Sequence, residues 1–304
     1  MGTKYHDGER KVQKITGEEV IANSNGRVIV DTIVKGAFNF VSNQPMVVVS
    51  TVDLAGAVWT STLVGENGFV KVLDERRLTI DLAKLKSTKK DIFFKNIEDS
   101  PAIGMLFMEP ATRRRYRING DIVEQGSSIE IQVEEAYPNC PKYIQKRTVN
   151  FLEDNHLDTS TAEGSILSSL EVKWIESADT LFVGSSSKGG RLDASHRGGN
   201  PGFVEIAENN TVRIPDYAGN SMYNTLGNFI ENPNAGVTFV DFAEGKTLQL
   251  TGKAEILFDQ NSEENLQKTT GTGRYWTLHI ERWISTENHH QANWEFKEFS
   301  PFNP

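Results

Sequence analysis

Short apolar runs separated by turn residues set the pattern of this chain. Met46–Val49 follows Pro45 and is rich in β-branched residues, which is typical of a buried strand. Val58–Val64, Gly68–Leu73 and Leu78–Asp81 continue the series, with turn signals between them. The pattern predicts a mainly β protein.

Helical patterns are fewer and short. Proline follows two of them closely, at Pro101 and Pro233, and proline stops a helix because it lacks an amide donor. The sequence predicts helices over Gly8–Ile15, Glu18–Ala22, Asp91–Glu98, Leu170–Ser177 and Met222–Glu231.

The order of these segments recurs in the second half of the chain. Gly68–Val72 matches Gly202–Ile206, and Ile97–Gly104 matches Phe229–Gly236. The offset stays between 132 and 135 residues, and one register held over so long a span indicates an internal repeat. The sequence therefore predicts an internal duplication, with one β-rich unit in residues 1–150 and another in 151–304.

The two units are predicted to join between Tyr137 and Ala162, with Asn150–Glu163 as the most polar and loop-like part. Each unit holds about six short strands, and such strands need closure or packing to protect their edges. We therefore expect a small barrel in each unit. Two tandem barrels can pack as the two subunits of a homodimer would.

The composition narrows the class of partner. The chain has 304 residues, a net charge of −9 and one cysteine. An acidic chain is a poor fit to nucleic acid or an anionic membrane, and one cysteine excludes an internal disulfide. No apolar run is long enough to cross a bilayer, and the first residues lack the apolar segment of a signal peptide. We expect a cytoplasmic protein.

The most informative stretch for chemistry runs from Leu192 to Asn228. It reads as a strand, a Gly-rich turn, a second strand, and a helix starting at Asn220-Ser221. Glycines allow close approach of a ligand, and a helix start offers free amide donors to a phosphate. Arg197 adds a fixed cation with several donors. These are the parts of a nucleotide-phosphate site.

The residues resemble a known family. Asp193–Phe203, Ile214–Ser221 and the N-terminal Tyr5–Gln13 look like a bacterial subgroup of the pyridoxamine 5′-phosphate oxidase-like FMN-binding split barrels. The resemblance implies two tandem FMN-binding split barrels packed as an intrachain pseudo-dimer, mainly β with a few helices. In that family the flavin lies in a groove between two barrels.

The resemblance also implies a set of cofactor-binding residues in the second unit, with FMN as the cofactor. Ser195–Gly198 would lie beside the ring and phosphate, Ile214–Asp216 would flank the ring, and Asn220-Ser221 would hold the phosphate. Carried over one by one, these residues are Ser195, His196, Arg197, Gly198, Ile214, Pro215, Asp216, Asn220 and Ser221, with Gln249 and Thr251 near the ring or ribityl chain.

The chain departs from the family pattern in two places. Met222 and Tyr223 stand where members of the classical oxidase type have Arg and Lys, so the phosphate would depend on Arg197, amide groups and the Ser221 hydroxyl. This weakens the case for the vitamin B6 oxidase reaction. In the first unit Leu63 stands where Arg197 stands, which predicts a degenerate first site.

A segment of the first unit is expected to complete the pocket. Cys140, Lys142, Tyr143 and Arg147 follow the last strand of that unit, and Pro141 suits the first turn of a helix. The alternative is that Cys140 is a buried cap residue without chemistry. His289-His290 has no carboxylate at metal-ligand spacing and is predicted to be an exposed pair, so no metal is expected.

Three functions remain open from the sequence. The first is an FMN-dependent oxidoreductase that acts by flavin hydride transfer on an unknown small molecule, with an unknown electron donor and no protein acid or base required. The second is a non-catalytic flavin- or haem-binding module for storage, sensing or stress response. The third is an F420-dependent reductase on the same fold. Whether two chains pair again as a homodimer also stays open.

Overall fold

The computed structural model describes residues 4–151 and 158–304. Most of its regular structure is β, in two large antiparallel sheets, so the mainly β prediction is confirmed. The first sheet contains β1 (Met46–Val52), β2 (Val58–Val64), β3 (Val70–Asp74), β4 (Arg77–Asp81), β5 (Ala102–Glu109), β6 (Arg114–Gln125) and β7 (Ser128–Asn139), in the order β2-β1-β5-β6-β7-β4-β3.

The second sheet has the same strand order as the first. It contains β10 (Thr180–Ser186), β11 (Leu192–Gly198), β12 (Glu205–Ala207), β13 (Thr211–Pro215), β14 (Asn234–Asp241), β15 (Lys246–Leu257) and β16 (Tyr275–Glu287), in the order β11-β10-β14-β15-β16-β13-β12. The hydrogen-bonded ladders end at β2 and β3 in one sheet and at β11 and β12 in the other. Over the described ranges, neither sheet therefore closes into a barrel.

Three shorter strands lie near the predicted join. β8 (Lys146–Phe151) pairs with β17 (Ala292–Glu298), and β9 (Ser160–Gly164) pairs with β16. The segment predicted to be loop-like therefore contains strand at both of its ends. Its residues 152–157 lie outside the described part of the chain.

The helices are short and mostly follow the sequence signals. Asp91 caps its helix by accepting a hydrogen bond from the amide of Phe93, and Ser168 forms a capping box with Glu171. No described helix is long and apolar enough to cross a membrane. The helices are α1 (Asp7–Thr16), α2 (Glu19–Asn25), α3 (Phe38–Ser42), α4 (Ile92–Asp99), α5 (Ser169–Ser177), α6 (Asn224–Glu231) and α7 (Glu263–Lys268).

The two sheets pack directly on each other through their β2 and β11 edges. Gly104 of β5 faces β11, where a Cβ would lie 2.6 Å from the carbonyl oxygen of Leu192. Gly236 of β14 faces β2 in the same way, where a Cβ would lie 2.7 Å from the carbonyl oxygen of Val58. The contact is thus repeated with the two sheets exchanged, as in a pseudo-twofold pair.

Candidate functional site

An open pocket lies where the two sheets meet. Its walls come from β6 and the turn after β7 in the first sheet, and from β11, the loop after β13 and the start of α6 in the second. The enclosed part has a volume of about 110 Å³. Of the residues implied by the family resemblance, the pocket gathers Ser195, His196, Arg197, Gly198, Asp216, Asn220, Ser221, Cys140, Lys142 and Tyr143.

Two guanidinium groups in the pocket have no carboxylate partner among the described residues. Arg115 on β6 donates to the carbonyl oxygen of Cys140, with its Nε at 2.8 Å. Arg197 donates to the carbonyl oxygen of His196 at 3.1 Å, and its buried Nε has no acceptor within the described chain. The pocket therefore presents two half-buried positive charges that protein groups do not neutralise.

A third guanidinium group ties the two sheets together. Arg117 lies on β6 two residues after Arg115, on the same face of the strand, and is buried. Its Nε donates to the carbonyl oxygen of Ala194 at 3.0 Å, and its Nη1 lies 3.4 Å from Asp193. It also donates to the hydroxyl of Ser195. Because Arg117 has a carboxylate partner, its first role is to hold β11 against β6.

The crowding of cations shifts the pKa values in the pocket. Burial lowers the pKa of Arg115, and the nearby charges of Arg197 and Arg117 lower it further. Burial also lowers the pKa of Arg197, although Asp216 partly offsets this. Burial and the neighbouring like charges both disfavour these cations, and a bound anion would offset both effects, so the pocket favours an anionic ligand.

His196 is neutral in this setting. Burial holds its pKa well below the usual range, and Arg115 and Arg197 act in the same direction. Nη1 of Arg115 lies 3.4 Å from Nδ1 of His196, so that nitrogen is placed to accept and Nε2 to carry the proton. Nε2 is buried without a partner among the described residues.

The helix that faces the pocket begins later than the sequence indicates. Asn220 and Ser221 are loop residues, and α6 begins at Asn224 after Tyr223. The predicted start at Asn220-Ser221 is therefore wrong. Ser221 and Tyr223 have φ values of 59° and 61°, and a left-handed backbone cannot continue a helix.

The first turn of α6 nonetheless lines the pocket, through Asn224, Thr225 and Leu226. Amides in the first turn of a helix have no acceptor within the helix. The amides at the start of α6 therefore supply the free donors that the sequence placed at Asn220-Ser221. The Thr225 hydroxyl donates to Ser195 Oγ at 3.1 Å, which fixes that turn to β11.

Several residues implied by the resemblance lie outside the pocket. Ile214 belongs to the core of the second sheet, and Pro215 pairs with Tyr275 at the end of β13. Gln249 Nε2 donates to the carbonyl oxygen of Thr60 at 2.9 Å, and the Thr251 hydroxyl donates to that of Val58 at 2.7 Å. Gln249 and Thr251 therefore join the two sheets, because β15 passes over β2 at this point.

Asp216 lines the pocket but is already paired. Its carboxylate accepts from Nε of Arg274 at 3.0 Å, and both side chains are about 10% exposed. Gly198 is needed for packing, because a Cβ there would lie 2.1 Å from the carbonyl oxygen of Tyr143. These two residues shape the wall.

The contribution of the first unit differs from the expected one. Cys140, Lys142 and Tyr143 line the pocket, but they lie in a turn, so the predicted helix at Pro141 is wrong. Arg147 lies elsewhere, because it pairs with Asp179 at 2.6 Å and stacks over the ring of Phe242. Arg115 and Arg117 were missed, since only the packing of one sheet on the other brings β6 to β11.

The equivalent position in the other half of the molecule is filled by protein. His289 Nε2 lies 2.8 Å from Asp91, and the Ser61 hydroxyl lies 2.5 Å from the other oxygen of that carboxylate. These side chains and Leu63 are buried. His289 and His290 are thus buried, and the prediction of an exposed pair is wrong.

Residues 171–289 match the sequence profile of the family described as pyridoxamine 5′-phosphate oxidase. No curated protein matches the chain in sequence.

Solved structures resemble parts of the chain. HupZ of Group A Streptococcus is 17% identical, with 38% of this chain and 92% of that chain covered and a TM-score of 0.32. A FAD-binding protein of Mesorhizobium loti is 16% identical, with 43% and 99% covered and a TM-score of 0.31. A protein of Clostridium acetobutylicum related to general stress protein 26 is 16% identical, with 42% and 86% covered and a TM-score of 0.26.

Proposed function

Since the chain belongs, through its second half, to the pyridoxamine 5′-phosphate oxidase-like family, we propose that it binds FMN and serves as a flavin-dependent oxidoreductase acting on a small molecule. The observation that supports this most strongly is the pair of unneutralised guanidinium groups, Arg115 and Arg197, beside the first turn of α6. A phosphate monoester supplies the missing negative charge.

The charge count favours a terminal phosphate. Arg117 is paired with Asp193, and Arg274 with Asp216, which leaves Arg115 and Arg197 for the ligand. Lys142 adds a third cation to the lining, with its Nζ 5.7 Å from the ring centroid of Phe302. A phosphate monoester carries between one and two negative charges at neutral pH, whereas a diester carries one. FMN ends in a monoester, so its charge fits this pocket better than that of a cofactor joined through a single phosphodiester.

The shape of the pocket is compatible with a phosphate inside and a ring at the mouth. The enclosed volume of about 110 Å³ is below the range of about 300–1,000 Å³ that is usual for sites enclosing drug-sized ligands. Arg115, Arg197, the Ser221 hydroxyl and the first-turn amides of α6 would hold the phosphate. The ring would lie outward, toward Tyr143 and Tyr217.

Bound FMN would supply the hydride chemistry, and the protein would supply binding and orientation. Arg115 and Arg197 would fix the phosphate end, so that the ring is held in one orientation. Neutral His196 offers its Nε2 proton as a hydrogen-bond donor and, with its pKa lowered, does not compete with the anion for the arginines. The ion pair of Asp216 and Arg274 would limit the entry of water into the pocket on the side of the second sheet.

We also infer that the chain arose by internal duplication and has one site. The two sheets share one strand order, and the pseudo-equivalent position is occupied by Ser61, Asp91 and His289. On this proposal residues 1–150 and 151–304 are the two units. The first unit has lost its own site and instead contributes Arg115 to the site of the second.

The test is a titration of the purified protein with FMN, followed by absorbance and flavin fluorescence. We expect one FMN per chain. Arg197→Leu, which introduces the residue that the first unit has at this place, should weaken binding at least tenfold, because charge-assisted hydrogen bonds are lost. Arg191→Leu is the control, since this side chain is 68% exposed and pairs with Glu134.

A colourless protein that takes up no FMN would contradict the proposal. If FMN binds, anaerobic addition of NAD(P)H tests turnover. A bound flavin that NAD(P)H does not reduce would favour a binding module over an oxidoreductase that uses this donor. The same absorbance spectrum reveals haem by its Soret band. Uptake of F420 in preference to FMN would favour a deazaflavin-dependent reductase.

A further inference from the structure

An aromatic pair stands at the exposed edge of the pocket. Tyr143 comes from the turn after β7 and Tyr217 from the loop before α6, and their ring centroids lie 4.9 Å apart. The Tyr143 hydroxyl donates a hydrogen bond of 3.0 Å to the carbonyl oxygen of Ala218. These two contacts connect a segment of the first unit to a loop of the second, beside the opening.

The main chain of Tyr143 is held on several sides. Its amide donates to the Ser300 hydroxyl at 3.1 Å, and its carbonyl oxygen accepts from Nε2 of Gln145 at 3.2 Å. The same carbonyl oxygen stands directly against Gly198. The backbone has a φ of 67°, which a non-glycine residue adopts only when its surroundings impose it.

The side chain of Tyr143 is held much less firmly than its main chain. Within the described part of the chain, its hydroxyl group forms hydrogen bonds with Ala218 and with the side chain of Thr270, and its ring makes one ring contact. The carbonyl group that accepts the first of these bonds belongs to an exposed loop residue, Ala218. Side-chain rotation therefore breaks only the hydrogen bonds of the hydroxyl group, whereas a backbone movement would also break those of the amide and the carbonyl oxygen and would disturb the contact with Gly198. The cheapest way to widen the opening is a rotation of this side chain.

A ligand with a fused ring has to pass this edge with its phosphate end and place its ring there. The enclosed space of about 110 Å³ accepts an anionic group, but a ring system several times larger than a phosphate has to pass or rest beside Tyr143 and Tyr217. Both rings are half-buried and contact each other at this edge, where they are available to a planar ligand. Such faces stack on a planar ring.

We propose that Tyr143 is a positioning residue that latches the pocket, closing it through the hydroxyl bond to Ala218 and swinging out to admit a ring-bearing phosphate ester. The hydroxyl bond to Ala218 then forms again beside the bound ligand and slows its release. Only the identity of the ligand as FMN rests on the proposed function. The latch itself follows from the contacts of Tyr143.

The chain contains a reporter of access to this pocket. Cys140 is the one cysteine of the sequence and lines the pocket beside Tyr143. The test measures the rate at which a thiol-reactive maleimide labels Cys140 in the ligand-free protein. Tyr143→Phe keeps the ring but removes the hydroxyl bond, and we expect labelling about two- to tenfold faster, the effect of one lost hydrogen bond.

The matched control is Tyr217→Phe, which leaves the bond between Tyr143 and Ala218 in place and should label at the wild-type rate. The thermal midpoint of Tyr217→Phe should equal that of the wild type, and that of Tyr143→Phe should fall by no more than about 4 °C, the effect of one lost hydrogen bond. Unchanged labelling in Tyr143→Phe, or equal acceleration in the two variants, would overturn the latch.

A second arm repeats the labelling with saturating FMN and measures FMN dissociation by stopped-flow fluorescence. We expect FMN to protect Cys140 and to dissociate faster from Tyr143→Phe than from Tyr217→Phe. Equal dissociation rates would overturn the role of Tyr143 in retaining the ligand. If Tyr143→Phe accelerates labelling but FMN neither binds nor protects, the latch stands and the proposed function fails.

Discussion

Arg114 and Arg115 are neighbours on β6 with opposite surroundings. Arg114 is 62% exposed and pairs with Glu109, whereas Arg115 reaches backbone carbonyl groups inside the pocket. Alternation along a strand sends the two side chains to opposite faces. The pair therefore offers a comparison in which charge, residue type and strand are the same.

Arg115→Leu should weaken FMN binding by about 10- to 100-fold, since hydrogen bonds to a charged group are worth about 1.5–3 kcal/mol. It should leave the thermal midpoint unchanged or raise it, because an uncompensated half-buried cation is removed. Arg114→Leu should change neither quantity by much. Titration and thermal melts of both variants check this, and equal loss of binding in the two would contradict it.

The arginines also show where sequence reasoning ends at this scale. Arg197 could be found because a Gly-rich turn follows it directly. Arg115 and Arg117 carry no such local signal. Their strand reads as an ordinary strand, and their position at the pocket depends on the register between β5, β6 and β7 and on the packing of the two sheets.

Glu135 supplies a prediction about pH. Burial, and then the nearby Asp193, raise the pKa of Glu135 from 4.5 to about 7. A carboxyl group whose pKa is higher in the folded than in the unfolded chain stabilises the fold below the unfolded value, and this stability is lost as the pH rises through the folded value. Its contribution should therefore disappear between about pH 4.5 and 7.

Glu135→Gln should flatten the decline of the unfolding free energy over that window, by about 1–3 kcal/mol. Glu134→Gln is the matched control, because it removes the same charge from a neighbouring side chain that is 40% exposed. Urea unfolding at pH 5 and pH 8 measures the difference. Identical pH profiles for the two variants would show that Glu135 does not titrate in this way.

At the level of elements, the apolar pattern predicted most helices and strands, and the misplaced ones share a cause. α6 was expected to begin at Asn220, a residue type that caps helices, yet Ser221 and Tyr223 take left-handed conformations first. The helix expected at Pro141 is a turn because contacts with Gly198 and Ser300 hold Tyr143 in that conformation. Tertiary contacts, which local sequence does not encode, decide both.

The packing of α1 on α6 gives a test at this scale. Gly8 lies against α6 so closely that a Cβ would be 2.1 Å from the carbonyl oxygen of Gly227. Gly8→Ala should destabilise the protein by about 1–3 kcal/mol, because backbone cannot yield as a side chain can. Gly36→Ala is the control, since nothing lies within 4 Å of a Cβ there. Equal urea midpoints would contradict the close packing.

For the whole molecule, the repeat spacing predicted two similar units, and the structure has two sheets with one strand order. The spacing could not predict that residues at equivalent positions of the two sheets have different contacts and different roles. Gln249 was matched to a cofactor-binding glutamine, yet it bonds to β2. Arg117, which stands 132 residues earlier and so at the repeat offset, bonds to β11 beside the pocket. One of the two pseudo-equivalent positions is filled by packed side chains, and the other is an open pocket.

The pseudo-twofold arrangement makes a final prediction about paired glycines. Gly104 meets β11 and Gly236 meets β2 in equivalent backbone contacts, so both lie where the two sheets touch. Gly104→Ala and Gly236→Ala should each lower the unfolding free energy by about 1–3 kcal/mol, because the added methyl group forces the sheets apart. Gly126→Ala, where a Cβ meets nothing within 4 Å, should have little effect.

The two contacts differ, however, in their distance from the ligand. Gly104 faces Leu192–Asp193, on the strand that carries Ser195 and Arg197, so Gly104→Ala should also weaken FMN binding. Gly236 faces Val58–Trp59 on the side whose pocket is filled, and Gly236→Ala should retain affinity once the folded fraction is accounted for. Urea unfolding and FMN titration of the three variants decide this. Equal losses of affinity in Gly104→Ala and Gly236→Ala would contradict the expectation that only the contact at Gly104 affects FMN binding.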